Sequence, residues 1–194
     1  MPSPIGPIVL LQVQRGALKV GEKGARRYHT EPIAGVPRLR VTGAGVIGLA
    51  VDGEILDAHH RDHALHKNDD GVHGISVGFT AHYGVMQQRF GPHLVLGSAG
   101  ETLIVETTRR MTLADVKRGL VVRGAAGAEK GRFTQVEIAH PCKAFTGFAL
   151  RHETVPPEAF KASLQFLDGG LRGFYCTWAG EPAVLEPGDV VATA

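Results

Sequence analysis

Glycine is the residue type that most restricts how this chain can fold. Of the 194 residues, 26 are glycine, about 13% against a usual value near 7%, and a further 11 are proline. Both residues interrupt regular structure and favour turns, so long-helix architectures are unfavourable and many short strands are expected. A chain of this length also suggests one domain.

Short apolar runs bounded by turn signals predict the positions of the strands. The turn between the runs that end near residue 123 and begin near residue 133 contains glycine and lysine but lacks the spacing of a phosphate-binding loop, so we interpret it as a solvated hairpin. The expected strands and apolar runs are residues 8–14, 37–41, 94–96, 103–105, 120–122, 133–138, 173–178 and 190–191.

Helical periodicity is confined to a few segments. The longest predicted helix covers residues 76–89, where Val77, Ala81 and Val85 share one stripe and Gly91 follows as a stop signal. Many short strands with two or three brief helices describe a mainly β (α+β) domain with a barrel-like architecture. The shorter helices are expected at residues 113–117, after Thr112 as N-cap, and from Pro156 and Pro157 to about Phe166.

Residues 43–48 spell Gly-x-Gly-x-x-Gly directly after a predicted strand, which is the pattern of a dinucleotide-binding turn. Such a turn works only when its last glycines open a helix whose N-terminus meets the pyrophosphate. Here a β-branched run leads instead to Asp52-Gly53 and then to another apolar run. This order predicts a β-hairpin and argues against a nucleotide site.

Charge and hydropathy exclude several classes of protein. The 21 Lys and Arg residues against 19 Asp and Glu leave a net charge of +2, which lacks the basic excess of a nucleic-acid sheath. No segment approaches the ~20 apolar residues of a membrane span, and no secretory signal is recognisable at the N-terminus. We therefore expect a cytoplasmic protein with reduced thiols, no membrane association and no nucleic-acid partner.

The two cysteines lie in different contexts. Cys142 follows a proline that breaks a predicted strand, and His140 and Lys143 flank it with groups whose positive charge would lower the thiol pKa from its usual ~8.5. A thiolate there could ligate a metal, carry a persulfide or act as a nucleophile, while the alternative is a small buried hydrophobe. Cys176 lies inside an aromatic strand, where core packing is the favoured interpretation.

A group of five histidines, His59, His60, His63, His66 and His73, falls within fifteen residues. The spacing of His59 and His63 would place both on one face of a helix, yet the segment is polar and lacks a nearby cysteine or an HExxH motif. It is interpreted as an exposed loop, or as a cover for an anionic ligand if it overhangs a pocket.

Basic residues are spread through the first third of the chain, beginning with Lys19 and including the run Arg26, Arg27, Tyr28 and His29. This run could clamp a phosphate bidentately, or it could be an ordinary solvated surface.

The order of several segments resembles the MOSC domain, the module found at the C-terminus of molybdenum-cofactor sulfurases and as small stand-alone bacterial proteins. The resemblance covers roughly residues 8–193 and implies a single MOSC-like domain over residues 1–194. The family usually has asparagine where Thr102 stands, and its first-half Gly-Asp-x-His pattern is loosely matched by residues 56–59. The matching segments are residues 73–83, 100–105, 120–123, 140–142, 166–175 and 184–191.

The resemblance implies a mainly β barrel with a pocket cysteine, Cys142, that carries sulfur or ligates molybdenum. Cysteine thiolate suits both roles, and basic residues around a pocket would suit the phosphate of a molybdenum cofactor (molybdopterin). The family is also associated with pyridoxal phosphate binding. The residues expected to hold the cofactor are His140, Lys143, Glu101, Thr102, Arg123 and Arg172.

Three functions follow as alternatives. The leading hypothesis is a protein that binds molybdenum cofactor or carries sulfur through Cys142, with a cysteine desulfurase as a possible partner. The second is a molybdenum-dependent reductase of N-hydroxylated compounds, which would need a separate electron-transfer protein. The third is a non-catalytic binding module in which Cys142 is structural. Substitution of Cys142 by serine distinguishes them, because only the first two lose cofactor or sulfur.

Overall fold

A closed β-barrel forms the centre of the protein, in agreement with the mainly β prediction. The computed structural model describes residues 3–66 and 74–194. Within this part, seven strands close the barrel in the order β1-β14-β10-β11-β12-β8-β9, and β9 pairs again with β1. The strands are β1 (Pro4–Gln14), β2 (Lys19–Val20), β3 (Arg27–Tyr28), β4 (Ile33–Gly35), β5 (Arg38–Thr42), β6 (Gly45–Ala50), β7 (Gly53–Leu56), β8 (Ile75–Phe79), β9 (Leu103–Val105), β10 (Leu120–Arg123), β11 (Glu129–Ile138), β12 (Phe174–Ala179), β13 (Ala183–Leu185) and β14 (Val190–Thr193).

Strand β1 is the longest strand and shares its length among three partners. Its first residues pair with β14, its middle with β9 and its end with β4, all antiparallel. Strands β8 and β9 pair in parallel, with Val77 opposite Leu103. Because parallel neighbours need a crossover connection, the chain between them forms a helix before it returns.

A second sheet of four strands, in the order β13-β5-β6-β7, covers one side of the barrel. Strands β5 and β6 form a hairpin across residues 43–44, and β6 and β7 form a second hairpin across residues 51–52. The Gly-x-Gly-x-x-Gly segment therefore lies in a β-hairpin without a following helix, and the hairpin interpretation is confirmed.

Four helices accompany the sheets in the described residues, one more than the upper end of the predicted range. Residues 76–79, which the apolar stripe predicts as the first turn of the long helix, belong to strand β8 instead. The apolar run 94–96 forms turns and not a strand. The additional helix begins directly after Cys142, where the sequence shows no clear helical pattern. The helices are α1 (Thr80–Phe90), α2 (Leu113–Val116), α3 (Lys143–Ala149) and α4 (Pro157–Leu167).

The hydrophobic core has two parts. The larger fills the barrel with side chains such as Phe79, Phe133 and Phe174, each at most 1% exposed. The smaller lies outside the barrel, where α1, α3 and α4 pack around residues such as Tyr83 and Phe145. The candidate site described below lies beside this second cluster. In the described part of the chain no helix has the length and apolar character needed to cross a membrane.

Candidate functional site

A cavity of about 440 Å³ opens near Cys142 and gathers residues from distant parts of the chain. Its walls come from the segment around β2, the loop before β8, the turn before β9, the end of β11 and the entrance to β12. The lining is partly apolar and partly charged. It includes Lys19, Arg26, Tyr28, His59, His66, Glu101, Thr102, His140, Arg172 and Tyr175.

Cys142 is the N-cap of α3. Its backbone is extended, and its Sγ accepts the amide N–H of Phe145 at 3.5 Å. Strand β11 has already ended at Ile138, and Pro141, which cannot donate a ladder hydrogen bond, lies in the short connection between this strand and the helix. The thiol is half-buried and is not itself among the residues that line the cavity, although it lies two residues beyond His140, which does.

The surroundings of Cys142 favour its thiolate. Burial alone would raise the pKa of the thiol, but the Phe145 amide and the positive charges of Lys19 and Arg172 outweigh it, so the pKa lies below its usual value. Both cations line the cavity. The cations that act on the thiol are therefore Lys19 and Arg172, which are distant in sequence, rather than the flanking His140 and Lys143.

Arg172 is a buried cation with a fixed position, at 8% exposure. Its Nη2 donates to the carbonyl of Ala99 at 2.9 Å, and its Nη1 donates to the carbonyl of His140 at 3.3 Å. The guanidinium carbon lies 4.2 Å from the ring centroid of Phe145. Within the described residues, its Nε has no hydrogen-bond partner. These contacts hold the charge between the cavity and α3.

Glu101 is buried and is hydrogen-bonded to Tyr83. The Tyr83 hydroxyl donates to Glu101 Oε2 at 2.6 Å and accepts the amide of Ala99 at 3.1 Å. Burial raises the pKa of Glu101, which favours its neutral form more than in water. The other oxygen, Oε1, has no hydrogen-bond partner among the described residues.

Thr102 lines the cavity but also joins β8 to the turn before β9. Its Oγ1 accepts the amide of Ser76 at 3.0 Å, and its own amide donates to the carbonyl of Ser76 at 2.9 Å. The position of Thr102 is therefore explained by its hydrogen bonds to Ser76 as well as by a role in the cavity.

The other predicted residues are placed differently. His140 lines the cavity, but its ring is largely exposed and its Nδ1 lies 2.8 Å from Asp168 Oδ1. Lys143 is exposed on α3 and does not line the cavity. Arg123 does not line it either, because it lies in the β10–β11 hairpin, with its Nη2 3.5 Å from Glu129 Oε2. The structure therefore does not bring Arg123 or Lys143 to the cavity wall.

The histidine segment forms part of the cavity wall. Asp57 anchors its start, because Oδ2 accepts the amide of Gln14 at 2.6 Å and Oδ1 lies 2.9 Å from His59 Nδ1. His59 and His66 line the cavity, whereas His60 is buried. His73 lies outside the described residues. In the part of the chain that the structure describes, no three His, Cys, Asp or Glu side chains are arranged to hold a metal ion.

Sequence patterns do not assign Lys19, Tyr28 or Tyr175 to this site. Lys19 is one of many scattered basic residues, and no local pattern connects it with Cys142, which is more than 120 residues away. The second cysteine lies where its aromatic strand predicts: Cys176 is fully buried in the barrel core, and burial raises the pKa of its thiol.

Comparison with known proteins identifies relatives of the fold. No family model matches the chain, and no curated protein matches it. The crystal structure of the YuaD protein from Bacillus subtilis superposes with a TM-score of 0.62 at 14% identity, over 99% of this chain and 97% of that one. A hypothetical protein of known structure superposes with a TM-score of 0.53 at 15% identity, over 100% of this chain and 68% of that one. At these identities the similarity establishes a shared fold.

Proposed function

We propose that this chain is a MOSC-type protein that binds molybdenum cofactor in the cavity beside Cys142, with the thiolate as the protein ligand to the metal. The observation that carries the proposal is the combination of a thiol of lowered pKa with a cavity lined by Lys19, Arg26 and Arg172. A pure sulfur carrier would need the thiol alone, whereas a cavity of about 440 Å³ with three cations suits an anionic organic ligand.

The residues present fit this group by their chemistry. Thiolate is a soft donor of the type that suits such metals, and it is the protonation state that the surroundings of Cys142 favour. Lys19 and Arg26 line the cavity as charges for a phosphate, and both are exposed enough to reorient.

The chain's own residues would bind and orient this ligand. Arg172, fixed by the carbonyls of Ala99 and His140, acts with the Phe145 amide and Lys19 to lower the pKa of the thiol that would ligate the metal. Glu101 presents a carboxyl at the cavity wall, where burial raises its pKa and its Oε1 has no hydrogen-bond partner among the described residues. When bound, the cofactor would supply two-electron redox chemistry of the kind that reduces N-hydroxylated compounds, given a separate electron-transfer partner.

The deciding experiment measures bound molybdenum per chain after reconstitution with molybdenum cofactor. We expect about one molybdenum per wild-type chain, as one soft-ligand site requires, and loss of molybdenum in Cys142→Ser. Cys176→Ala is the matched control, because it removes the other thiol from the barrel core, and it should retain the metal. Circular dichroism verifies that both variants are folded.

Absence of molybdenum from the wild-type protein would overturn cofactor binding. The second candidate would then be sulfur carriage, which the half-buried thiolate also supports. Transfer of labelled sulfur from a cysteine desulfurase to Cys142 is its test. If neither assay changes in Cys142→Ser, the cysteine is structural and the chain is a binding module. All three roles of a free thiol agree with a reducing compartment such as the cytoplasm.

A further inference from the structure

A second cavity, of about 470 Å³, lies at the opposite end of α3 from Cys142. We call it the arginine cavity. It lies where β3 and the residues after it face the last turn of α3 and the loop that follows. Its lining residues are Arg27, Tyr28, His29, Thr30, Glu31, His93, Phe148, Arg151 and His152.

The arginine cavity is separate from the cavity beside Cys142. Successive side chains of a strand point to opposite faces. Arg26, just before β3, lines the cavity beside Cys142, called the thiol cavity below, while Arg27 lines the arginine cavity. Tyr28 forms the wall between the two. It is 3% exposed, and its hydroxyl donates to the carbonyl of Ser98 at 3.0 Å.

The floor of the arginine cavity is aromatic. The ring centroid of Phe148 lies 5.3 Å from that of Tyr28 and 5.8 Å from that of His93. Phe148 is only partly buried, so part of its surface faces the opening. An aromatic or apolar portion of a ligand could pack against it.

His93 holds Arg151 in place. Its Nε2 lies 3.1 Å from the carbonyl oxygen of Ala149, so this nitrogen carries the proton and donates. Its Nδ1 then accepts from Nε of Arg151 at 3.3 Å. The backbone supports the same placement, because Arg151 and His152 adopt φ of 55° and 59°, a left-handed conformation that directs both side chains back to the cavity.

Positive charge in the arginine cavity exceeds negative charge. Neither Arg27 nor Arg151 forms an ion pair with a carboxylate in residues 3–66 and 74–194. The acidic lining residue, Glu31, lies 3.6 Å from His29 and is 78% exposed. Burial lowers the pKa of His152, and the charges of Arg27 and His29 lower it further, as expected where cations face each other.

We propose that the arginine cavity binds a small phosphate monoester, with Arg27 and Arg151 on the phosphate and the organic group against Phe148. Two guanidinium groups provide paired N–H donors that match a phosphate dianion. A phosphate alone would fill only part of the cavity of about 470 Å³. The organic group of the monoester would fill the remaining space, against the aromatic floor. This site is independent of any metal or sulfur chemistry at Cys142.

Phenyl phosphate is the probe, and isothermal titration calorimetry measures its dissociation constant. We expect Arg27→Ala and Arg151→Ala each to weaken binding about tenfold or more, because each removes charge-assisted hydrogen bonds. Arg118→Ala is the matched control, since it removes an exposed arginine that lines neither cavity, and it should leave the affinity unchanged. Inorganic phosphate and phenol should each bind more weakly than phenyl phosphate.

Two results would overturn the proposal: no binding of phenyl phosphate at millimolar concentration, or loss of binding in Arg26→Ala with retention in Arg27→Ala. The second result would place the phosphate in the thiol cavity. Arg27→Ala alone keeps the proposal falsifiable if Arg151→Ala does not fold, because Arg27 is exposed. Cys142→Ser should bind phenyl phosphate like the wild type, so failure of this site and failure of the proposed function remain distinguishable.

Discussion

At the scale of single residues, Arg172 links the fold to the chemistry of Cys142. Its guanidinium is fixed by two carbonyls and the ring of Phe145, so it cannot move away when the thiol loses its proton. Together with Lys19 and the Phe145 amide it lowers the pKa of Cys142 against the effect of burial. A preoriented cation of this kind needs no rearrangement to stabilise the thiolate.

Replacing Arg172 should therefore make Cys142 less reactive. We expect Arg172→Gln to move the pH profile of iodoacetamide alkylation to higher pH and to lower the rate several-fold at neutral pH, because less thiolate is present. Lys143→Ala is the control, since Lys143 does not contribute to the pKa of the thiol and its variant should keep the wild-type profile. Cys176 is fully buried and does not interfere. An unchanged profile in Arg172→Gln would contradict the role given to Arg172.

His82 makes the stability of the protein depend on pH. The ring is fully buried and its Nε2 lies 3.0 Å from the backbone nitrogen of Met111. Burial lowers its pKa from 6.5 to about 4. A lowered folded-state pKa means that the unfolded chain binds the proton more tightly. The stabilising effect is therefore complete above pH 6.5 and is lost as the pH falls towards 4.

Urea unfolding across this pH range measures the effect. At ~1.4 kcal/mol per pKa unit, His82 accounts for a loss of about 3 kcal/mol between pH 6.5 and 4. His82→Gln should be less stable at neutral pH but should lose less stability on acidification. Burial raises the pKa of Glu101, so this residue makes stability change with pH in the opposite direction to His82. It does so in both proteins, and the comparison between them therefore isolates His82. Parallel pH profiles would rule out this assignment.

At the scale of elements, the entrance to β12 is a point of close backbone approach near the site. Gly173 has a φ of 83°, and a Cβ there would collide with the backbone carbonyl oxygen of Val77 in β8. The close approach of β12 to β8 places Arg172, the preceding residue, against the wall of the cavity. A side chain at residue 173 would therefore disturb both the sheet and the site.

Gly173→Ala should lower the free energy of unfolding by about 1–3 kcal/mol or more, since it combines a left-handed backbone with a steric clash. Gly35→Ala in β4 is the control, because a Cβ at Gly35 would have no other atom within 4 Å and the backbone there is not left-handed. That variant should stay within about 0.5 kcal/mol of the wild type. The urea midpoints of the two variants, compared at constant m-value, measure the difference in stability. Equal effects of the two substitutions would refute the prediction.

Local sequence pattern is sufficient for some elements and misleading for others. The hairpin at Asp52-Gly53 is predictable because its turn chemistry is local. The stripe that includes Val77 predicts a helix from residue 76, yet Val77 pairs with Leu103 in a parallel ladder. That pairing depends on a contact with a distant strand, which the spacing of apolar residues along a single segment does not encode.

The candidate site shows the same division. Sequence pattern singles out Cys142 because a proline precedes it and His140 and Lys143 flank it, although the cations that lower its pKa are Lys19 and Arg172. Helix α3 cannot be predicted from its own sequence, because Gly147 weakens the helical pattern. Its formation depends on the Cys142 cap and on burial of Phe145. Lys19 has no sequence link with the thiol, because only the folded barrel brings β2 close to the start of α3.

At the scale of the whole molecule, an ion pair between a buried carboxylate, Asp189, and a partly exposed lysine, Lys130, joins the closed barrel to its second sheet. Lys130 on β11 donates to Asp189 Oδ2 at 2.7 Å and to the carbonyl of Val184 at 2.8 Å. Asp189 is 4% exposed and its Oδ2 also accepts the amide of Glu186 at 2.9 Å. One cation thus joins β11, the β13 strand and the turn before β14.

Lys130→Ala should destabilise the protein by about 3–5 kcal/mol, because it leaves the Asp189 carboxylate buried without its cation. The ion pair of Arg109 with Asp115 is the control. Its nitrogen and oxygen also lie close together, at 2.8 Å, but Arg109 is exposed, and Arg109→Ala should leave the thermal midpoint nearly unchanged. Similar midpoints for the two variants would show that barrel closure does not depend on Lys130.

The pairing of β1 with both β9 and β14 has a consequence for the order in which the chain becomes functional during synthesis. Strand β1 precedes both partners in the sequence, so this long strand keeps open edges until residues about 100 and 185 positions later have been made. Lys19 is made more than 120 residues before Cys142, and Arg172 is made 30 residues after it. The cations that lower the pKa of the thiol therefore reach it only when these distant segments have folded together.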